Sequence, residues 1–240
     1  MYYERVTRLV AVSVLALAVL ATSASADVQS TTLDRCVRAG PQTKIIRFRS
    51  PGRHRTPAAI LGTGTAGVVL SNQGDNDLCR WLPFARRLVG GGVRVLVYDY
   101  RWGTEPAEAR AAVAALRRRG VKRVALAGAS LGAAASLVAG ATKPRGAVGV
   151  VSLSGVAYAM VGVRSAVRRL TLPVLFVAAE ADEFSAGPDA REFYASAPSR
   201  DKKLIVVPGT AHGTDLLADA TIRQTVADWL VAHLRPAPTA

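Results

Sequence analysis

Eight apolar, β-rich runs recur along the chain, and this recurrence constrains its fold more than any other feature. They are Lys44–Arg49, Ala58–Gly62, Gly67–Ser71, Val93–Asp99, Arg123–Ala127, Ala147–Leu153, Val174–Ala178 and Lys203–Val207. The last six are rich in Val, Leu, Ile and Ala and hardly alternate with polar residues. A strand reads this way when both of its faces are covered, as in a parallel sheet. Helical patterns fall between the runs, at Cys79–Val89, Pro106–Arg119, Leu131–Ala139 and Pro188–Ser196, with a last one over 215–234. Pro106 suits a helix start, and Gly90-Gly91-Gly92 and Gly120 suit helix ends. This alternation predicts an α/β chain with an open, mostly parallel sheet. About twenty residues separate Leu153 from Pro173, too few for a lid domain.

Composition narrows the class further. Hydrophobic residues are 50% and charged residues 20%, a balance that excludes global disorder. The glycines and prolines follow no collagen period, and no repeat of solenoid length is present. Two cysteines are too few for a disulfide scaffold or a Cys-rich zinc module. The formal charge is +14, carried by 26 Arg and 5 Lys against 17 acidic residues. The arginines are scattered in sequence, the densest run being Arg117-Arg118-Arg119. They read as a solvated surface, and no nucleic-acid partner is expected.

The first 26 residues have the pattern of an address. Arg5 and Arg8 precede an apolar run from Leu9 to Ala21, and Ala24-Ser25-Ala26 offers the small residues a signal peptidase accepts. A cleaved signal peptide over 1–26 is expected, with a secreted mature protein that does not insert stably into a membrane. The alternative is an uncleaved anchor, since the uncharged stretch approaches spanning length. A polar strap is expected over 27–43, the folded domain over 44–234 and a disordered tail over 235–240. Outside the cytoplasm Cys36 and Cys79 can pair. The alternative is two separately buried thiols.

One string carries chemistry: Gly128-Ala129-Ser130-Leu131-Gly132. The pentapeptide alone is weak, but it lies between the strand run Val124–Ala127 and the helical run Ala133–Val138. That is the setting of a nucleophile elbow, where a serine on a tight turn projects its hydroxyl from the sheet. Glycines two residues either side keep the crossing clear, and the helix behind favours developing negative charge. A serine needs a base, and the base needs an orienting acid. Of three histidines, His54 lies in an early basic stretch and His233 near the end of the last helix. His212 lies in the loop Pro208–Thr214 after an apolar run, where a catalytic base at the sheet edge belongs. For the acid, the run from Pro173 ends in a turn holding Glu180, Asp182 and Glu183.

With Ser130, this acidic turn and His212 in order, the chain resembles the α/β-hydrolase superfamily over roughly 44–234, most closely its small lidless esterase and dienelactone-hydrolase members. The resemblance implies a three-layer sandwich on an eight-stranded, mostly parallel sheet with little or no lid. It selects Asp182 as the acid. It also implies an oxyanion hole built from the backbone N–H of Leu131 and an N–H after the third strand, which falls on Gln73. The His-Gly usual at that turn is replaced by Ser71-Asn72.

Other patterns read as structure. Gly62-Thr63-Gly64-Thr65-Ala66-Gly67 fits a dinucleotide fingerprint, but a strand follows it where a helix is needed, so it reads as a hairpin turn. Asp75 and Asp77 lack the later Glu of a calcium loop. Asp99 reads as a loop-fixing residue. Trp81 and Trp102 line a pocket rim or simply pack. No cofactor or metal is expected. The expected function is a secreted serine hydrolase that cleaves carboxylic esters through an acyl-enzyme on Ser130, Asp182 and His212. Its partner is a small ester or acyl substrate. An acyltransferase or peptidase on the same residues, or an inactive binding protein on the same fold, are the alternatives.

Overall fold

The computed structural model describes residue 33 and residues 35–236. The expected signal peptide, most of the strap before residue 35 and the end of the tail lie outside the described residues. Eight strands form one sheet: β1 (Thr43–Arg49), β2 (Arg55–Leu61), β3 (Ala66–Ser71), β4 (Arg94–Tyr98), β5 (Arg123–Ala129), β6 (Ala147–Leu153), β7 (Val174–Ala179) and β8 (Lys202–Val207). Their order across the sheet is β1-β2-β4-β3-β5-β6-β7-β8. β1 and β2 pair antiparallel, β2 runs antiparallel to β4, and all later neighbours are parallel.

Six α-helices lie among the described residues, five between strands and one after β8: α1 (Leu82–Gly90), α2 (Glu105–Arg117), α3 (Leu131–Ala141), α4 (Val163–Val167), α5 (Ala186–Ser196) and α6 (Ala220–Leu234). The unalternated strands now have their cause. On β3, Val68 and Leu70 enter the core shared with α1 and α6, while Val69 enters the core shared with α2 to α5. Strands β4 to β7 divide in the same way, so every second residue meets helices on each face. The result is the expected three-layer sandwich. Between β6 and β7 there is only a 3₁₀ turn at Ala157–Ala159 and the five-residue α4.

Small residues bring the layers close behind β6, toward the end of α3 that lies away from the carboxyl edge. A Cβ on Gly140 of α3 would press into Val150 of β6. A Cβ on Gly149 of β6 would come within 2.9 Å of the Trp229 ring on α6. The Ala-rich α3 therefore lies flat behind β5 with its inner face fully buried.

Two expectations change. Residues 62–67 do not form a hairpin, because β2 and β3 are not neighbours: β4 lies between them. The loop instead carries the chain past the slot that β4 later fills, and a Cβ on Gly64 would collide with the Gly92 carbonyl of the turn before β4. The strap is also less polar in effect than its composition suggests. Leu33 and Val37 are both buried in the main core. A disulfide joins Cys36 to Cys79 with their Cα atoms 5.8 Å apart, tying the strap to the 3₁₀ turn Leu78–Trp81 ahead of α1.

Candidate active site

Residues from four loops meet at the carboxyl edge of the parallel strands. At the end of β5, Ser130 has φ 50° and ψ −115°, a conformation that costs an L-residue on the order of 1–3 kcal/mol. Its N–H donates to Leu153 of β6, and its carbonyl accepts from Ala134 of α3, so the strained turn is pinned at both ends. The flanking glycines are obligatory. A Cβ on Gly128 would collide with the Gly132 backbone, and a Cβ on Gly132 with the carbonyls of Ser71 and Asn72. The elbow thus rests directly on the turn after β3. Ser130 is partly exposed, whereas the nearby Ser154, which shares φ 50°, is fully buried.

His212 and Asp182 face one another across the loops that follow β8 and β7. The His212 Nδ1–H donates to Asp182 Oδ2 at 2.8 Å, with Oδ1 at 3.0 Å. The acceptor-only carboxylate fixes this tautomer, so Nε2 carries the lone pair. Asp182 is buried, and its Oδ1 also accepts from the Phe184 N–H at 2.9 Å. The two loops are held in register by Glu180 N–H to the Val207 carbonyl and Ala181 N–H to the Gly209 carbonyl. Glu180 turns away and pairs with Arg191, and Glu183 is exposed.

Gln73 and Leu131 occupy the turn after β3 and the first turn of α3. Leu131 opens α3, where the first backbone N–H groups have no intrahelical partner. The Gln73 side chain has a role that sequence reasoning missed. Its Oε1 accepts from the Thr214 N–H at 2.9 Å and from Thr214 Oγ1 at 3.2 Å, both buried. A Cβ on Gly213 would meet this same amide, and would come within 3.4 Å of Ala129 beside the elbow serine. The residue after His212 is therefore in contact with the elbow and with the β3 turn at once. Only a fold can disclose a partnership between residues 141 positions apart; the buried, amide-bearing turn was the sole hint.

The surroundings are apolar. Phe184 packs against the His212 ring in a tilted arrangement, 4.5 Å between centroids and 49° between planes. Trp102 is 72% exposed, and its ring lies over Gly74, 3.1 Å from where a Cβ would stand. Trp81, by contrast, is fully buried, which resolves the two tryptophans into one rim residue and one core residue. Asp99 fixes the loop before the 3₁₀ turn by accepting from Leu78 N–H at 2.8 Å; burial raises its carboxyl above the usual range, opposed by that bond and by Arg35. Asp77 caps the same turn through Cys79 N–H and pairs with Arg35.

A family model described as serine aminopeptidase, S33, matches residues 152–216, a segment that holds Asp182 and His212 but not Ser130. No curated protein shows significant sequence similarity to the chain. Among solved structures, a monoacylglycerol lipase of Paleococcus ferrophilus is similar with a TM-score of 0.65 and 17% identity, over 73% of this chain and 98% of that one. The esterase domain of a Rhodothermus marinus protein is similar with a TM-score of 0.65 and 19% identity, over 80% and 97%. A dienelactone hydrolase of Anabaena variabilis is similar with a TM-score of 0.60 and 21% identity, over 81% and 100%.

Proposed function

We propose that this chain, whose fold is that of the α/β-hydrolases, is a serine hydrolase that cleaves carboxylic esters through an acyl-enzyme. One observation carries the reading. A strained, partly exposed serine stands at the sheet edge where a histidine is already oriented by a buried aspartate. Strain of this kind persists only where surrounding structure over-determines it, and it gathers at reacting groups. The names of the similar structures, two of them an esterase and a lipase, support the ester class.

In this reading Ser130 Oγ attacks the ester carbonyl carbon and His212 Nε2 takes its proton. Negative charge gathers on the carbonyl oxygen, where the N–H groups of Leu131 and Gln73 receive it. The intermediate collapses as His212 returns the proton to the leaving alkoxide. Water, activated by the same imidazole, then frees the acid and restores Ser130. Asp182 holds the Nδ1–H tautomer and stabilises the imidazolium that forms twice in the cycle. Phe184 and Trp102 give the acyl or alkyl part of the ester an apolar rim.

A peptidase is the second reading, favoured by the serine aminopeptidase model over 152–216. A fluorophosphonate probe tests the shared nucleophile, and a panel of acyl esters against aminoacyl anilides separates the two. Labelling of Ser130 with turnover of esters alone is the expected result. Absence of labelling would leave a hydrolase-fold binding protein. Export belongs to the same proposal: residues 1–26 act as a signal peptide, and the Cys36–Cys79 disulfide suits the oxidising compartment it leads to.

A further inference from the structure

The arginines that look scattered in sequence are gathered in space. A cavity of about 770 Å³ beside the edge strand β1 is lined by Arg47, Arg49, Arg53, Arg55, Arg118 and Arg119, with Phe48 as its only other lining residue. Through Arg119 it adjoins a second concavity of about 420 Å³ that adds Lys44 and Arg94. Through Arg118 it adjoins a third of about 330 Å³ that adds Arg110, Arg117 and Arg145. No Asp or Glu lines any of the three.

The charges on this band are not neutralised from within. Arg94, Arg117 and Arg119 donate to backbone carbonyls. None of the eleven basic residues makes an ion pair among the described residues, whereas Arg80, Arg101, Arg164 and Arg191 elsewhere all do. Arg49 and Arg55 are direct cross-strand partners in the β1–β2 ladder, and like charges placed so are destabilising. An external anion would offset that repulsion.

We infer that this band is a docking groove for a linear phosphodiester polymer. Planar, forked guanidinium groups match phosphate oxygens in pairs. The three concavities, two of them each sharing one arginine with the first, suit a chain that can pass from one to the next. A bilayer surface is flat, and proteins that lie on one add apolar anchors to their basic face. Here the exposed large apolar side chains Ile45, Trp102, Tyr158, Val161 and Phe184 line none of the three concavities, and only Ile45 stands on β1 beside them. The one aromatic that lines any of them, Phe48, is buried. With no exposed ring for a base to stack on, recognition rests on the phosphate backbone and is indifferent to what the backbone carries.

The probe is a fluorescein-labelled 20-nucleotide thymidine strand, followed by anisotropy between 50 and 300 mM salt. A neutral methylphosphonate strand of the same length and vesicles of phosphatidylglycerol with phosphatidylcholine are the other arms. The expected result is binding to the phosphodiester strand alone, with affinity falling log-linearly in salt at about −0.7 per phosphate neutralised. The variant Arg47→Gln/Arg49→Gln/Arg55→Gln/Arg118→Gln should weaken binding at least tenfold and flatten that slope. The variant Arg164→Gln/Arg168→Gln/Arg169→Gln/Arg191→Gln removes the same charge from α4, the turn after it and α5, and should stay within twofold. If the first variant does not fold, Arg47→Gln/Arg49→Gln on exposed β1 positions carries the same expectation at reduced size. Equal losses from both faces would reduce the effect to net charge and overturn the groove. Binding to vesicles but not to the strand, or to neither at 50 mM salt, would overturn it as well.

Discussion

Ser130 and Asp182 each admit a near-isosteric substitution that should keep the fold, and this makes the proposed chemistry testable at single residues. Ser130→Ala removes one oxygen from a partly exposed site, and Ala fits the same turn. The variant should melt within a few degrees of the parent yet lose ester turnover by several orders of magnitude, as removal of a triad nucleophile does. Persistent turnover or probe labelling at another serine would assign the chemistry elsewhere. Asp182→Asn should keep the fold and lower kcat by about 10⁴-fold, because an amide no longer holds the productive imidazole tautomer. Glu180→Gln breaks only a half-exposed surface pair with Arg191, and Glu183→Gln touches an exposed side chain. Each of these should change kcat less than about threefold, in line with the small energies of surface pairs. A fall in kcat for Glu180→Gln comparable to that for Asp182→Asn would move the acid to Glu180.

Elements were legible in the sequence to the extent that a local pattern encodes them. All eight strands lie within a few residues of the runs that predicted them, and β3 to β7 read as continuous apolar runs because a strand covered on both faces needs no polar alternation. The long helices were legible from caps and composition. α4 was missed: five residues carry no readable period. The β2–β3 connection was misread because a glycine-rich loop between antiparallel strands looks alike whether or not a third strand fills the gap. Within the candidate site, the loops single out Ser130 and His212 in the sequence. The brace from Gln73 to Thr214 was not legible, since nothing local announces it. That brace predicts its own loss. Gln73→Met leaves the buried Thr214 N–H without an acceptor, at a cost of about 1–3 kcal/mol. It should lower Tm and slacken the His212 loop, seen as faster amide exchange over 210–215. Unchanged exchange there would show that the loop stands without it. Asp99 offers the converse case. Its raised carboxyl pKa means that burial penalises the charged form, so its contribution to stability is present at acid pH and is lost as pH rises through the folded pKa. Asp99→Asn keeps the acceptor for Leu78 N–H without that charge. Denaturation should find it at least as stable as the parent at pH 7, with the advantage shrinking toward pH 4.

At the scale of the whole molecule, the disulfide joins the strap ahead of β1 to the 3₁₀ turn ahead of α1. Cys79 sits between the turn that would receive the oxyanion and helix α1, while Cys36 lies in the strap ahead of β1. Leu33 and Val37 on either side of Cys36 are buried in the main core, so the bond and these two side chains hold the strap together. The 43-residue separation corresponds to about 4 kcal/mol in the chain-entropy account of crosslinks. That is a large share of the stability of an ordinary domain. Neither sulfur belongs to the proposed chemistry, and Asp77, Leu78 and Asp99 brace the Cys79 turn by bonds that survive reduction. Reductant should therefore lower Tm by several degrees and leave the initial rate of ester cleavage at room temperature within about twofold. Cys36→Ser/Cys79→Ser should match the reduced parent in both respects. If the rate fell with Tm unchanged, the crosslink would be holding the oxyanion turn rather than the strap. The loss should then appear in kcat, because the Gln73 N–H of that turn is proposed to act on the oxyanion, which forms only in the transition state.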